Sequence, residues 1–213
     1  MKELRIADCG LRIERHNTGT QMAEWEEITK REWYGRMTPS SESDWIELVV
    51  LEIPQGKIAL SDLEFIGDSM MPREFEVVPG AYQVSVKIVS LKNGEKRISR
   101  MRVLRGDQAT LGARLDGLGC DFWRVGFYDP AAIQGTTEEL HRMVSSIDLC
   151  AVLSVPDYSG ATLPVAFSGM GAGYFPIHEL THQGKQVGLE VVFIGPEELA
   201  EHPDQKIIKR KDQ

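Results

Sequence analysis

Five consecutive residues, His178-Glu179-Leu180-Thr181-His182, spell HExxH, the one string in this 213-residue chain that matches a catalytic motif. On a helix, two histidines four apart share a face and can bind one zinc ion, while the glutamate between them polarises the metal-bound water. Pro176 and Gly184 would suit the start and end of such a helix. It would span about two turns, which is marginal without strong packing. Its interior holds Thr181, and Phe175 is a poor N-cap. Gly184 also falls one residue too early for the metzincin continuation that supplies a third ligand. The competing structure is a hairpin, with Tyr174 to Leu180 as one strand, a turn at Gln183-Gly184, and Gln186 to Ile194 returning. Leu189, Val191 and Phe193 would then face a core while Gly188 and Glu190 face away. A register pairing Leu180 with Val187 sets His178 opposite Leu189 as a half-buried packing residue. The hairpin is the preferred reading. A zinc-dependent hydrolase using His178, Glu179 and His182 is the alternative.

Just upstream, Gly169, Gly171 and Gly173 suggest a phosphate cradle, but the spacing is G-x-G-x-G without the helix a dinucleotide fingerprint requires or the Gly-Lys-Ser/Thr of a P-loop. Ser168 is not in a nucleophile elbow, because Ala166 occupies the first glycine position. Asp121 and Asp129 could hold a cation or share acid and base work, yet they lack the spacing of a calcium loop, and aspartates beside glycines commonly cap turns. Together, Asp121, Asp129, Ser168, Gly169, Gly171, Gly173 and Tyr174 form the candidate set for a small-ligand site. Arg100 and Arg102, with Arg97 and Arg105 nearby, line one side of a strand. They offer an anion site or, more simply, a solvated face.

The elements that would position these residues are mostly strands. Ile46 to Ile53, ending at the turn Pro54-Gln55-Gly56, its short successor Lys57 to Leu60, and Phe75 to Val78, before Pro79-Gly80, are extended segments. Within Ala81 to Leu91, the apolar residues Tyr82, Val84, Val86 and Ile88 alternate with Gln83, Ser85 and Lys87, and Asn93-Gly94 predicts a type I′ turn into a partner strand, Lys96 to Leu104. Residues 106–135 are rich in glycine and turns. Thr136 and Glu139 form a capping box for a helix carrying Leu140, Met143, Val144 and Ile147. Residues 149–155 could extend that helix or start a strand; Pro156 to Gly160 is a turn, and Ala161 to Phe167 a strand. At the amino end, residues 4–16 suggest two short strands. Met22, Trp25, Ile28 and Trp33 recur at helical spacing over Gln21 to Arg36, followed by a polar linker at 38–43. Pro196 opens a short helix over Glu197 to Glu201, and Lys206 to Lys211 is a basic tail.

Composition narrows the function. The apolar content of 42% supports a sizeable core, and a formal net charge of -8 opposes attraction to phosphate backbones or anionic lipid surfaces. No apolar run reaches the length of a membrane span, and Met1 to Arg5 leads into Asp8 without a secretory or transit pattern. Cys9, Cys120 and Cys150 are odd in number and widely spaced, which fits reduced thiols. The expectation is a cytoplasmic protein with no nucleic-acid or membrane partner and no cofactor.

Residues 51–194 resemble the bacterial domain of unknown function DUF4241. The landmarks are Gly56 to Asp62 (GKIALSD), Phe75 with Pro79-Gly80-Ala81-Tyr82-Gln83-Val84, Lys96 to Ser99, Gly119 and Asp121 with Asp129, and Val165 to Gly169 through Gly173 to Pro176. The family's closing motif resembles S-G-W-G-D-G-x-Y-P, where this chain carries Met170 and Ala172 in place of the tryptophan and aspartate. The resemblance implies a β-rich domain ending in a hairpin, with no established activity and relatives that include immunity-like proteins. The expected fold is α+β: mainly antiparallel sheet, sandwich-like or strongly twisted, with an N-terminal helix and one or two further short helices. An N-terminal extension (1–44) would pack on the β-rich domain (45–195), and 196–213 would form a short helix and tail. The function that the resemblance implies is that of a non-enzymatic binding protein with a protein partner that it neutralises, a basic partner being suited to the acidic charge.

Overall fold

The computed structural model describes residues 25–29, 39–66, 73–92, 94–169, 171–194 and 206–210. In chain order these form β1 (Trp25–Thr29), β2 (Pro39–Glu42), β3 (Ile46–Ile53), β4 (Lys57–Asp62) with a 3-10 turn at Leu63–Phe65, β5 (Arg73–Glu76), β6 (Gly80–Leu91) and β7 (Lys96–Leu104). They continue with β8 (Thr110–Cys120), β9 (Arg124–Tyr128), helix α1 (Glu138–Ser145), β10 (Cys150–Val155), a 3-10 turn at Pro156–Tyr158, β11 (Ala161–Phe167), β12 (Gly173–His182), β13 (Lys185–Val192) and β14 (Lys206–Arg210).

A seven-stranded sheet runs β2-β6-β7-β13-β12-β8, with β3 also paired to β6. A five-stranded sheet runs β10-β11-β9-β4-β5, and β1 pairs with β14. Every pairing is antiparallel.

Alternation along the strands makes two large sheets into layers. Val86 pairs with Met101, Met101 with Val191 and Val191 with Ile177, so four strands contribute one buried row. This row packs with Ile58 and Leu60 of β4 and Phe127 of β9 in the core between the sheets. Each such side chain contributes about 1.5–3 kcal/mol when fully buried. The alternate residues of the five-stranded sheet, including Ala59, Tyr128, Leu153 and Val165, form a second core beneath α1, whose Leu140 and Val144 are fully buried. The order of layers is seven-stranded sheet, five-stranded sheet, helix.

Several expectations are corrected. Trp25–Thr29 is a strand rather than part of a helix, because it pairs residue for residue with Lys206–Arg210, the basic tail; the rest of 21–36, the strands expected within 4–16 and the helix expected at 197–201 lie outside the described residues. The segment read as a linker contains β2, which joins β6. The stretch read as turns at 106–135 contains β8 and β9; glycines at 112, 117, 119 and 126 dilute the alternation that marks a strand. The N-cap of α1 is Thr137, whose hydroxyl accepts the Leu140 N–H, instead of Thr136. The β6–β7 connection closes Leu91 N–H onto Glu95 O, so its loop has three residues, 92–94, with Gly94 at φ 89° and Asn93 outside the described residues.

Candidate functional site: an aromatic loop at one end of the sandwich

β4 ends on Asp62, which shares its parity with Ile58 and Leu60 and is fully buried. A buried carboxylate requires compensating donors. Its Oδ2 accepts the backbone N–H groups of Asp121 at 2.8 Å and Phe122 at 2.7 Å, and the Cys120 thiol at 3.4 Å. Its Oδ1 accepts Glu64 N–H at 3.3 Å. One side chain thus ties the turn after β4 to the loop after β8. Burial, reinforced by the neighbouring Asp62 charge, pushes the Cys120 thiol up to about 12. Such a thiol is no nucleophile near neutrality.

The loop anchored in this way, Asp121 to Trp123, displays aromatics. Trp123 has φ 72°, a left-handed conformation uncommon for a bulky side chain. Its carbonyl accepts Ser168 N–H at 2.7 Å, and its ring meets Phe167 edge-on at 5.7 Å between centroids. Phe122 packs edge-on against Phe65 at 5.2 Å. Arg124 donates from Nη1 to Phe122 O and from Nη2 to Ser145 O, and its guanidinium lies 5.4 Å from the Phe167 ring. Despite these contacts Phe122 remains 49% exposed and Trp123 42%. Tyr174, 56% exposed, lies across Gly117 on the adjoining strand pair and directs its hydroxyl to Asp116 Oδ1 at 3.5 Å.

Most of the residues singled out in the sequence meet here. Gly173 pairs with Cys120, which brings Gly169, Gly171, Gly173 and Tyr174 beside Asp121. Ser168 is fully buried and donates its hydroxyl to Gly171 O at 2.9 Å, so it shapes the glycine loop. Asp129 lies at the opposite end of β9, where its Oδ1 accepts Ala131 N–H at 2.9 Å as a turn cap.

His178, Glu179 and His182 lie on β12, in the expected hairpin with a turn at Gln183-Gly184, whose φ values of 51° and 73° are both positive. The register differs from the expected one: Leu180 pairs with Gly188 and His178 with Glu190, because a bulge at Leu180/Thr181 shifts the pairing by one. On a strand the two histidines are roughly 13 Å apart along the chain, too far for one metal ion with bonds near 2.1 Å. Among the described residues no group of three histidine, cysteine, aspartate or glutamate side chains is placed to hold a metal ion. Glu179 accepts Ala113 N–H at 3.3 Å, where the β8–β12 register is irregular, a structural role.

The arginine row faces away from the core and is neutralised internally. Arg100 pairs with Glu190 at 2.8 Å and lies near Glu42, while Arg102 stacks on Trp45 at 4.0 Å.

Sequence reading missed Asp62, and with it Glu64, whose carboxylate takes both the His141 Nδ1 and the Ser145 hydroxyl. The only local signal was an aspartate closing a strand. No helix among the described residues is long and apolar enough to cross a membrane. Set beside known proteins, the chain matches no family model, no curated protein and no solved structure.

Proposed function

We propose that this chain is a non-enzymatic binding protein that docks a protein partner on the loop end of the sandwich. The observation that carries the reading is the pair of half-exposed aromatics, Phe122 and Trp123, on a loop held by a buried carboxylate, with Tyr174 exposed on the neighbouring strand β12. Tryptophan, tyrosine and arginine dominate the energetics of protein interfaces, and a loop fixed beforehand avoids much of the ordering cost of association. Leaving such rings in water gains nothing for folding.

The groups that could perform chemistry are otherwise engaged, which favours binding over catalysis. Cys120 is buried, Ser168 is bonded within its own loop, and the HExxH string lies on a strand. The buried, reduced thiol of Cys120 suits a cytoplasmic setting. The resemblance to DUF4241 adds the expectation that docking neutralises the partner, as an immunity-like protein would.

A photo-crosslinking amino acid at position 123, compared with one at Val50 on β3, tests this in the cells that make the protein. A discrete adduct at 123 and none at 50 is expected. Equal labelling at both positions, or none at 123, overturns the reading.

A further inference from the structure

We infer that the segment docking on this surface is rich in lysine or arginine. The inference rests on the docking reading above and specifies the chemistry of what docks.

The aromatic loop and α1 form one continuous surface, because the Arg124 guanidinium bonds both Phe122 O in the loop and Ser145 O at the helix C-terminus. At the other end of α1, about 12 Å away by helix rise, lies a hollow of about 450 Å³ lined by Thr137, Glu138, Glu139, Arg142 and Asp157. A typical interface covers about 800 Å² per partner, so one partner spans both features.

The carboxylates of this surface, Asp121, Glu138, Glu139 and Asp157, outnumber its guanidinium groups, Arg124 and Arg142. Arg142 is already bound to Glu139, which leaves Glu138 and Asp157 without a cation among the described residues. Among the described residues, the Asp157 carboxylate accepts the Thr137 hydroxyl. Beside the aromatics, Asp121 is exposed, whereas Arg124 directs its donors to carbonyls and Arg97 pairs with Glu95. The whole chain carries -8. Cationic side chains would therefore meet Glu138 and Asp157 at the N-terminal end of the helix and, at its other end, Asp121 beside an exposed indole able to hold a cation on its face. An acidic segment would meet the same carboxylates as like charges.

The probes are three short synthetic peptides of one aromatic-containing sequence, with the variable positions filled by arginine, by glutamine or by glutamate. Each is titrated into the full chain and followed by amide and indole NMR resonances. The arginine peptide is expected to shift the Trp123 indole together with the Asp121, Glu138 and Asp157 amides. Its affinity should fall about fivefold for each exposed carboxylate removed by Asp121→Asn or Glu138→Gln, and again on raising the salt. Asp121→Asn leaves α1 untouched, so a loss there is not a helix defect. If the glutamine or glutamate peptide shifts Trp123 with equal affinity, the charge inference fails while the docking reading stands. If the arginine peptide leaves the Trp123 resonance unmoved, the inference also fails, and the crosslinking result at position 123 decides separately whether anything docks there.

Discussion

The Asp62 carboxylate accepts the backbone N–H of Phe122 at 2.7 Å, so a residue closing a strand of the five-stranded sheet holds the loop that follows the last strand of the seven-stranded one. The two sheets are joined at this end by a charged hydrogen-bond acceptor as well as by apolar packing. The same oxygen serves Asp121 N–H and the Cys120 thiol, which leaves the loop backbone little freedom.

Replacing Asp62 by Asn removes that charge and turns an NH₂ group towards donors. Hydrogen bonds to charged groups are each worth about 1.5–3 kcal/mol. Asp62→Asn should therefore lower stability by about 3 kcal/mol in chemical denaturation. It should also broaden the Trp123 indole resonance, because the loop loses its anchor. A variant as stable as the parent would show that the backbone donors find other partners.

Trp123 separates binding from folding. Its φ of 72° costs an ordinary side chain about 1–2 kcal/mol, while its edge contact with Phe167 returns about 0.5–1.5 kcal/mol. Asparagine tolerates the left-handed region, so Trp123→Asn should change stability by less than about 1 kcal/mol and still abolish binding of the arginine peptide. A large loss of stability would instead mark the indole as part of the core.

What the sequence revealed and what it concealed follow from period and from contact. The period-two pattern of β6 and the paired turn residues Gln183-Gly184 are local signals, and both elements were legible. β8 was not, since three glycines interrupt its alternation and it is stabilised by pairing with β12, far away in sequence. Trp25–Thr29 carries a helical spacing of apolar residues, yet it pairs as a strand with Lys206–Arg210. The glycine loop and Asp121 were identified as a cluster, but Asp62, which organises them, acts across nearly sixty residues of chain that no local pattern spans.

The Cys120 thiol, with its pKa raised to about 12 from an ordinary value near 9, stays protonated and shielded at pH 8. The folded state holds this proton more tightly than the unfolded chain, so its contribution to stability is present below about pH 9 and is lost as the pH rises towards 12. In a Cys9→Ser, Cys150→Ser background, a thiol reagent at pH 8 should label Cys120 only at the rate of unfolding. Labelling at the rate of a free thiol would contradict the burial.

Glu42 makes the opposite prediction. Burial disfavours its charge, but hydrogen bonds from Lys87 and Ser99 and the charges of Lys87 and Arg100 outweigh that and hold it below the usual glutamate range. The folded protein binds this proton less tightly than the unfolded chain. The stabilisation is therefore complete above the ordinary glutamate pKa and disappears as the pH falls through the folded value. Melting temperatures of Glu42→Gln and the parent should differ at neutral pH and converge in acid; a constant gap would assign the effect to shape instead of charge.

Two glycines that are equally crowded should respond differently to alanine. At Gly188, in the interior strand β13, an added Cβ would lie 2.1 Å from the Val103 carbonyl oxygen and 3.0 Å from Leu104 Cα, both backbone atoms of the paired strand β7. Relief requires moving one strand of the sheet against another, so Gly188→Ala should cost at least about 1–3 kcal/mol, the usual penalty for overpacking. At Gly117, on the edge strand β8, the Cβ would lie 2.1 Å from the Tyr174 ring, but that ring is 56% exposed and can rotate into solvent. Gly117→Ala should thus be close to neutral in denaturant midpoint while displacing Tyr174, which a change in its ring resonances would report. If Gly117→Ala were as destabilising as Gly188→Ala, Tyr174 would be a packing element of the sheet edge, and the docking surface would shrink to Phe122 and Trp123.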